Sequence, residues 1–206
     1  MHEIYLIKHC DKDIQNPGDC CDTNGCIRSQ KLVPYIKNLL GNKTPTRLIV
    51  PSDQHPPCKR SQRMIQTLTP LSAYYKLPIT AKYCSIDAKS QAADLLNLSN
   101  ELVICCWQHD ELIELLKYLI NMENPPNIPD YPKGRNDLVF KLTINDTIKL
   151  EIFLENLLPE DPKILPLEYQ IFQENNLLFF EKITKNLCSG INLINYNYVN
   201  TNCSCN

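Results

Sequence analysis

Short apolar runs alternate with amphipathic segments over roughly the first 145 residues, and this alternation constrains the fold more than any other feature. Three apolar runs are typical of buried strands: residues 3–8, 47–50 and 101–107. Four segments carry apolar residues at helical spacing: residues 23–40, 59–75, 90–98 and 111–121. Thr23 is expected to cap the first helix, and Pro34 to kink or delay it. Alternating strands and helices predict a layered α/β fold with a mainly parallel central sheet.

The later part of the sequence departs from this alternation. Residues 138–144 and 148–153 are predicted to pair as a hairpin across Asn145-Asp146. Residues 155–206 hold scattered apolar patches and an Asn-rich end, and we interpret them as an unassigned C-terminal extension of a single domain spanning residues 1–206. A chain of 206 residues with 43% hydrophobic residues can bury one core of ordinary size.

Composition and charge exclude several classes of protein. A formal net charge of −2 argues against a nucleic-acid-binding protein, which usually carries a basic excess. No apolar run approaches the roughly 20 residues that a membrane helix needs, so no membrane association is expected. No signal peptide is visible, which predicts a cytoplasmic protein whose 11 cysteines are reduced thiols. The clustered Cys20, Cys21 and Cys26 lack the paired spacing of a zinc site, so no metal is expected.

Two of the four histidines follow predicted strands. His9 comes after the first strand and His109 after the third, and the carboxyl ends of parallel strands meet at one edge of a sheet, where ligands bind. Cations lie near them: Lys8 precedes His9, while Arg60 and Arg63 lie at the start of a predicted helix, a favourable place for phosphate. This pattern predicts an anion pocket. The alternative is that the arginines form a solvated helix face and the histidines are ordinary loop residues.

Several motifs resemble one known superfamily. Residues 4–12, Ile-Tyr-Leu-Ile-Lys-His-Cys-Asp-Lys, resemble the opening strand and Arg-His-Gly signature of the histidine phosphatase (phosphoglycerate mutase-like) superfamily. Arg-Met-Ile-Gln-Thr, at residues 63–67, is similar to that superfamily's Arg-Ala-x-Gln-Thr motif. Further resemblances keep the superfamily's order, at residues 23–29, 102–109 and 131–140. Together they cover about residues 3–145.

The resemblance implies an α/β/α sandwich and a two-step phosphoryl transfer. His9 would attack phosphorus and form a phosphohistidine, which water then hydrolyses. Lys8, Arg63 and His109 would bind the phosphoryl oxygens, with Arg60 nearby. Neither a metal nor a cofactor is implied. The expected substrate is a phosphomonoester, either a phosphorylated small molecule or a phosphoprotein.

Two departures from the signature support a second hypothesis. Lys8 stands where the superfamily has arginine, and lysine lacks the planar two-pronged donor that grips phosphate. Cys10 stands where it has glycine, and its side chain is expected to crowd the pocket. The chain is therefore either a phosphatase or a weak or inactive relative that binds a phosphorylated ligand or a protein partner.

The proton donor is predicted from the residue after the second histidine. Asp110 follows His109, and this pair resembles the His-Asp of the acid phosphatase branch, where the aspartate protonates the leaving group. The alternative is that Asp110 caps a helix beginning at Glu111. Asp87 and Asp11 are the other candidates for the donor.

Overall fold

The computed structural model describes residues 2–12, 19–54, 58, 61–121, 123–124, 126–145 and 148–173. Strands and helices follow one another in the order β1 (His2–Lys8), α1 (Thr23–Leu40), β2 (Arg47–Ser52), α2 (Arg63–Tyr75), β3 (Ile79–Cys84), α3 (Ala88–Leu96), β4 (Leu102–Trp107), α4 (His109–Ile120), β5 (Leu138–Ile144) and β6 (Ile148–Leu154).

One six-stranded sheet forms the centre of the fold. Its strand order is β3-β2-β4-β1-β5-β6. The first four strands along the chain run parallel to one another, whereas β5 is antiparallel to β1 and β6 is antiparallel to β5. The predicted layered α/β fold with a mainly parallel sheet is confirmed.

Helices cover both faces of the sheet. Successive side chains of a strand point to opposite faces, and β1 is buried on both. Ile4 and Leu6 pack in one core with residues of α3 and α4. Tyr5 and Ile7 pack in a second core with residues of α1 and α2. The sheet is therefore the middle layer of an α/β/α sandwich, which explains why β1 is an uninterrupted apolar run.

The predicted elements are present, with differences at their ends. Helix α2 begins at Arg63 rather than at residue 59. The cap of α1 is Asp22, not Thr23: its side chain accepts a hydrogen bond from the Gly25 amide at 2.7 Å. The helix begins at Thr23 and continues through Pro34, so the expected late start is wrong.

Strand β3 was not predicted from the sequence. It lies at the edge of the sheet and pairs with β2 alone. Its central residues Thr80, Ala81 and Lys82 are exposed, so it has neither a buried apolar run nor a clear alternation.

The predicted hairpin is confirmed, since β5 and β6 pair along their full lengths. Its turn includes Asp146, which lies outside the described residues. Beyond β6, residues 155–173 pack on the sandwich. Tyr169 is fully buried in the core, and its hydroxyl donates to the Pro129 carbonyl at 3.0 Å. In the part of the chain described, no helix is long and apolar enough to cross a membrane.

Candidate active site

His9 lies where β1 ends beside β4. The Lys8 and Trp107 Cα positions are paired across the two strands, and the His9 amide donates to the Trp107 carbonyl at 3.1 Å. His9 Nδ1 lies 2.7 Å from the Cys10 carbonyl oxygen. A carbonyl can only accept, so Nδ1 carries the proton and Nε2 keeps its lone pair.

The surroundings of His9 keep its ring neutral. Only 4% of the residue is exposed, and this burial is the main reason that its pKa falls to about 3. The hydrogen bond to Cys10 opposes this shift, while the charges of Arg63, Lys8 and His109 add to it. The structure thus places Lys8, Arg63 and His109, the three residues expected to bind the phosphoryl oxygens, near the neutral ring of His9.

Arg63 supplies a donor that the protein leaves unpaired. It is the first residue of α2, so it lies at a helix N-terminus as predicted. Its Nε donates to Ser61 Oγ at 3.1 Å, whereas its buried Nη1 has no hydrogen-bond partner among the described residues. Burial lowers the pKa of the guanidinium, against the attraction of Asp19 and Cys20. An unpaired buried donor of this kind is costly unless a ligand satisfies it.

Lys8 is enclosed more tightly than the sequence indicated. Its Nζ donates to the Arg135 carbonyl at 2.6 Å and lies 4.9 Å from the centre of the Tyr131 ring. Burial lowers the pKa of Lys8 to about 8; Asp11 opposes this shift, and neighbouring cations, Arg63 among them, reinforce it. One ammonium proton is donated to the Arg135 carbonyl, and the other two have no hydrogen-bond acceptor among the described residues.

His109 and Asp110 form the first turn of α4. His109 Nδ1 lies 2.7 Å from Asp110 Oδ1, with 46% of the histidine side chain and 76% of the aspartate side chain exposed. The cap of α4 is Gln108, so the alternative role of Asp110 as a helix cap is wrong. The Asp110 carboxyl instead lies in the first turn of α4, near the positive end of the helix dipole. It contacts His109 Nδ1 and is largely exposed to solvent.

Thr67 ties the His9 segment to Arg63. Its hydroxyl accepts from the Cys10 amide at 2.8 Å and donates to the Arg63 carbonyl at 2.7 Å. Thr67 is only 2% exposed. Thr67 ends the Arg-Met-Ile-Gln-Thr motif of residues 63–67, and its spacing of one helical turn from Arg63 is the signal in the sequence that could have indicated this contact.

The cysteines correct the expectation that all of them are reduced thiols. Cys10 is disulfide-bonded to Cys21, and Cys58 to Cys84, so not all of the cysteines are thiols. The two cysteines of each pair are 11 and 26 positions apart, and the sequence alone does not indicate which cysteines pair. The Cys10 side chain is fully buried, and its Sγ lies 3.8 Å from the Arg63 carbonyl oxygen. The free cysteines among the described residues are Cys20, Cys26, Cys105 and Cys106.

A buried charge cluster supports the loop that follows His9. Arg28 is 3% exposed and donates from Nε to Asp11 at 2.6 Å and from Nη2 to Asp161 at 2.7 Å. Its Nη1 reaches Asp161 at 3.0 Å and Glu155 at 3.3 Å. Asn136 Nδ2 also donates a hydrogen bond to Asp11 Oδ1. The cluster joins α1, the His9 loop and residues 155–161, and no local pattern in the sequence indicates it because Arg28 and Asp161 are far apart in the chain.

The remaining candidates fall outside the site or are engaged elsewhere. Arg60 lies outside the described residues. Asp11 is held by Arg28, as described above. Asp87 occupies the N-cap position of α3, and its side chain makes no capping hydrogen bond. No group of three or more metal-ligating side chains occurs in the part of the chain that the structure describes.

Three solved structures share this architecture. The protein histidine phosphatase SixA, complexed with tungstate, is 18% identical and superposes with a TM-score of 0.53 over 74% of this chain and 97% of its own. Phosphoglycerate mutase from Plasmodium falciparum is 12% identical, with a TM-score of 0.53 over 80% and 98%. The chain has the histidine phosphatase fold. A putative alpha-ribazole-5'-P phosphatase from Escherichia coli shares this fold at 12% identity, with a TM-score of 0.51 over 75% of this chain and 97% of that one.

No protein-family model and no curated protein sequence matches this chain. The likeness to these structures is therefore one of fold, seen in the sheet order and the layers. This agrees with the resemblance drawn from residues 3–145, whose motifs fall on β1, α1, α2, β4 and the start of β5.

Proposed function

We propose that this protein is a phosphatase that hydrolyses a phosphomonoester through a phosphohistidine at His9. The observation that carries the proposal is the state of His9: Nδ1 is bound to the Cys10 carbonyl, and the ring is neutral and buried. A neutral imidazole with an unprotonated Nε2 is the form that can attack phosphorus.

The surrounding cations support the same chemistry. Arg63 has a buried Nη1 without a partner among the described residues, and Lys8 has two ammonium protons left for a ligand. Fixed donors of this kind stabilise the charge that develops on phosphoryl oxygens in the transition state. SixA, which shares the fold, was solved with tungstate, a tetrahedral oxyanion similar to phosphate.

The proposed reaction has two steps. His9 Nε2 attacks phosphorus, the bond to the leaving oxygen breaks, and Asp110 gives that oxygen a proton. Water then attacks the phosphohistidine, the P–N bond breaks, its electron pair returns to Nε2, and the water proton passes to Asp110. His109 is proposed to donate from Nε2–H to a phosphoryl oxygen, in the tautomer whose Nδ1 accepts the proton of the Asp110 carboxyl.

Turnover of an aryl phosphate in excess chelator tests the proposal. His9→Ala should lose roughly 10³-fold or more of kcat, because the nucleophile is gone. His2→Ala is the matched control: His2 is also buried, but lies at the other end of β1, roughly 20 Å away at ~3.3 Å per residue. It should retain the wild-type kcat.

The outcomes separate the two hypotheses. Wild-type turnover that tungstate inhibits and His9→Ala abolishes supports the phosphatase. Tungstate binding without turnover of any phosphomonoester in a substrate panel would identify the inactive, ligand-binding relative. Equal turnover in wild type and His9→Ala would remove His9 from the mechanism.

A further inference from the structure

The residue after the proposed nucleophile is one half of a disulfide. Cys10 and Cys21 have Cα atoms 5.9 Å apart, within the range that a disulfide spans. Cys10 follows His9 directly, and Cys21 lies immediately before the Asp22 cap of α1. The disulfide therefore joins the loop that follows His9 to the N-terminus of α1.

The backbone carbonyl and amide of Cys10 both make hydrogen bonds to side chains of the site. Its carbonyl oxygen accepts the proton of His9 Nδ1, and its amide donates to Thr67 Oγ1. Thr67 in turn donates to the carbonyl of Arg63. A displacement of Cys10 would consequently change both the aim of His9 and its position relative to Arg63.

The Cys21 side of the bond is closely packed. The Cys21 amide donates to Gln66 Oε1 at 2.6 Å. A Cβ atom placed on Gly25 would lie 3.0 Å from Cys21 Cβ and 2.5 Å from the Asp11 carbonyl oxygen, so the loop and helix touch here. Two thiol sulfurs need more room than two bonded sulfurs. With Cys10 fully buried, reduction must move one of the two loops.

We infer that the Cys10–Cys21 pair is a redox switch for the His9 site: the disulfide holds the competent arrangement, and reduction lowers activity. This inference rests on the proposed function. The switch acts through position, since neither sulfur takes part in phosphoryl transfer.

The reductant is a dithiol. One of its thiolates attacks Cys21 Sγ, because Cys21 is partly exposed while Cys10 is fully buried. A mixed disulfide forms on Cys21, and Cys10 leaves as a thiolate that takes up a proton. The second dithiol sulfur then attacks the mixed disulfide, which releases Cys21 as a thiol and the reagent as a cyclic disulfide. Two electrons pass to the protein, and the oxidised reagent reverses the reaction.

Native wild-type protein equilibrated in dithiothreitol redox buffers tests the switch. Alkylation and mass spectrometry report the fraction of open Cys10–Cys21 pairs, and kcat is measured on an aryl phosphate in chelator. Reduced protein should lose roughly 10–100-fold of kcat, as expected for a small displacement of reacting groups, and reoxidation should restore it. The activity and the opening of the pair should share one midpoint.

Two variants make the test specific. Cys21→Ser should have low activity that no longer responds to the buffer. Cys84→Ser removes the other disulfide, Cys58–Cys84, and should keep the full response. If the change of activity with the redox buffer is lost in Cys84→Ser and kept in Cys21→Ser, the effect belongs to the Cys58–Cys84 pair and the inference is wrong.

Different results would contradict the redox switch and the proposed phosphatase activity. If turnover is the same with the pair open and closed, or the pair stays closed in excess dithiothreitol, the inference is wrong while the phosphatase stands. If neither state turns over, the proposed function is wrong, and tungstate affinity decides the inference. Equal affinity in the two states would then contradict it, and weaker binding by the reduced state would support it.

Discussion

Replacing Arg28 with methionine should destabilise the fold by removing the charge cluster that supports the His9 loop. The substitution keeps a long side chain but removes the charge and every hydrogen bond to Asp11, Glu155 and Asp161. The side chains of Arg28 and Asp161 are 4% and 5% exposed, so water cannot replace the lost contacts. The Asp161 carboxylate would keep only the amides of Leu157 and Leu158.

The magnitude follows from which carboxyl groups are charged. Burial raises the pKa of Glu155 to about 8 against the attraction of Arg28, so Glu155 is mostly neutral at pH 7 and loses only a hydrogen bond. Burial also acts to raise the pKa of Asp161, but Arg28 and the two backbone amides outweigh it, and the pKa is lowered. Asp161 is therefore the charge left unpaired. Breaking such a buried pair costs about 3–5 kcal/mol.

Urea unfolding measures this loss. With a slope of about 2 kcal/mol/M, Arg28→Met should lower the midpoint by roughly 1.5–2.5 M. The control is Arg47→Met, which breaks the exposed pair with Glu101 and should change stability by less than about 1 kcal/mol.

The pH dependence gives a second check on Arg28. A lowered pKa means that the ionised form of Asp161 stabilises the fold above the unfolded-state pKa of about 3.9, and that this stability is lost as pH falls through the folded pKa. The difference in the free energy of unfolding between wild type and Arg28→Met should thus have its full size at pH 7 and become smaller below about pH 4. A variant within about 1 kcal/mol of wild type at pH 7 would refute the reasoning.

Two further predictions concern the proposed chemistry. Activity should fall above about pH 8, because Lys8 loses its positive charge there, and the weaker activity of Lys8→Met should lack this fall; the same fall in the variant would assign it to another group. Asp110→Asn should lose roughly 10²–10⁴-fold of kcat on an alkyl phosphate and far less on a nitrophenyl phosphate, whose leaving group needs no proton. Equal losses on the two substrates would mean that Asp110 only orients His109.

The sequence was sufficient to predict the parts of the site that depend on strand ends. β1 and β4 are buried on both faces and appear as apolar runs, and each is followed by a histidine. Because parallel strands end at the same edge of a sheet, His9 and His109 could be expected to meet there. Arg63 was predictable as the start of a helix, although the helix begins four residues later than expected.

The rest of the site depends on contacts that leave no local pattern. Arg28 donates a hydrogen bond to Asp161, which lies 133 positions later in the sequence, and the residues around each of them give no sign of this contact. Cys10 and Cys21 approach each other only because α1 packs against the His9 loop at Gly25. The Lys8 ammonium is surrounded by the Arg135 carbonyl and the Tyr131 ring, which lie more than 120 positions later in the chain.

Direct detection of phosphohistidine on His9 tests the central claim. Rapid quenching during turnover of a ³²P-labelled phosphomonoester should trap a label that is stable in alkali and lost in acid, and peptide mapping should place it on His9. His2→Ala should form the same label, and His9→Ala should form none. Trapping no label on wild type during steady turnover, or mapping it to another residue, would contradict the account.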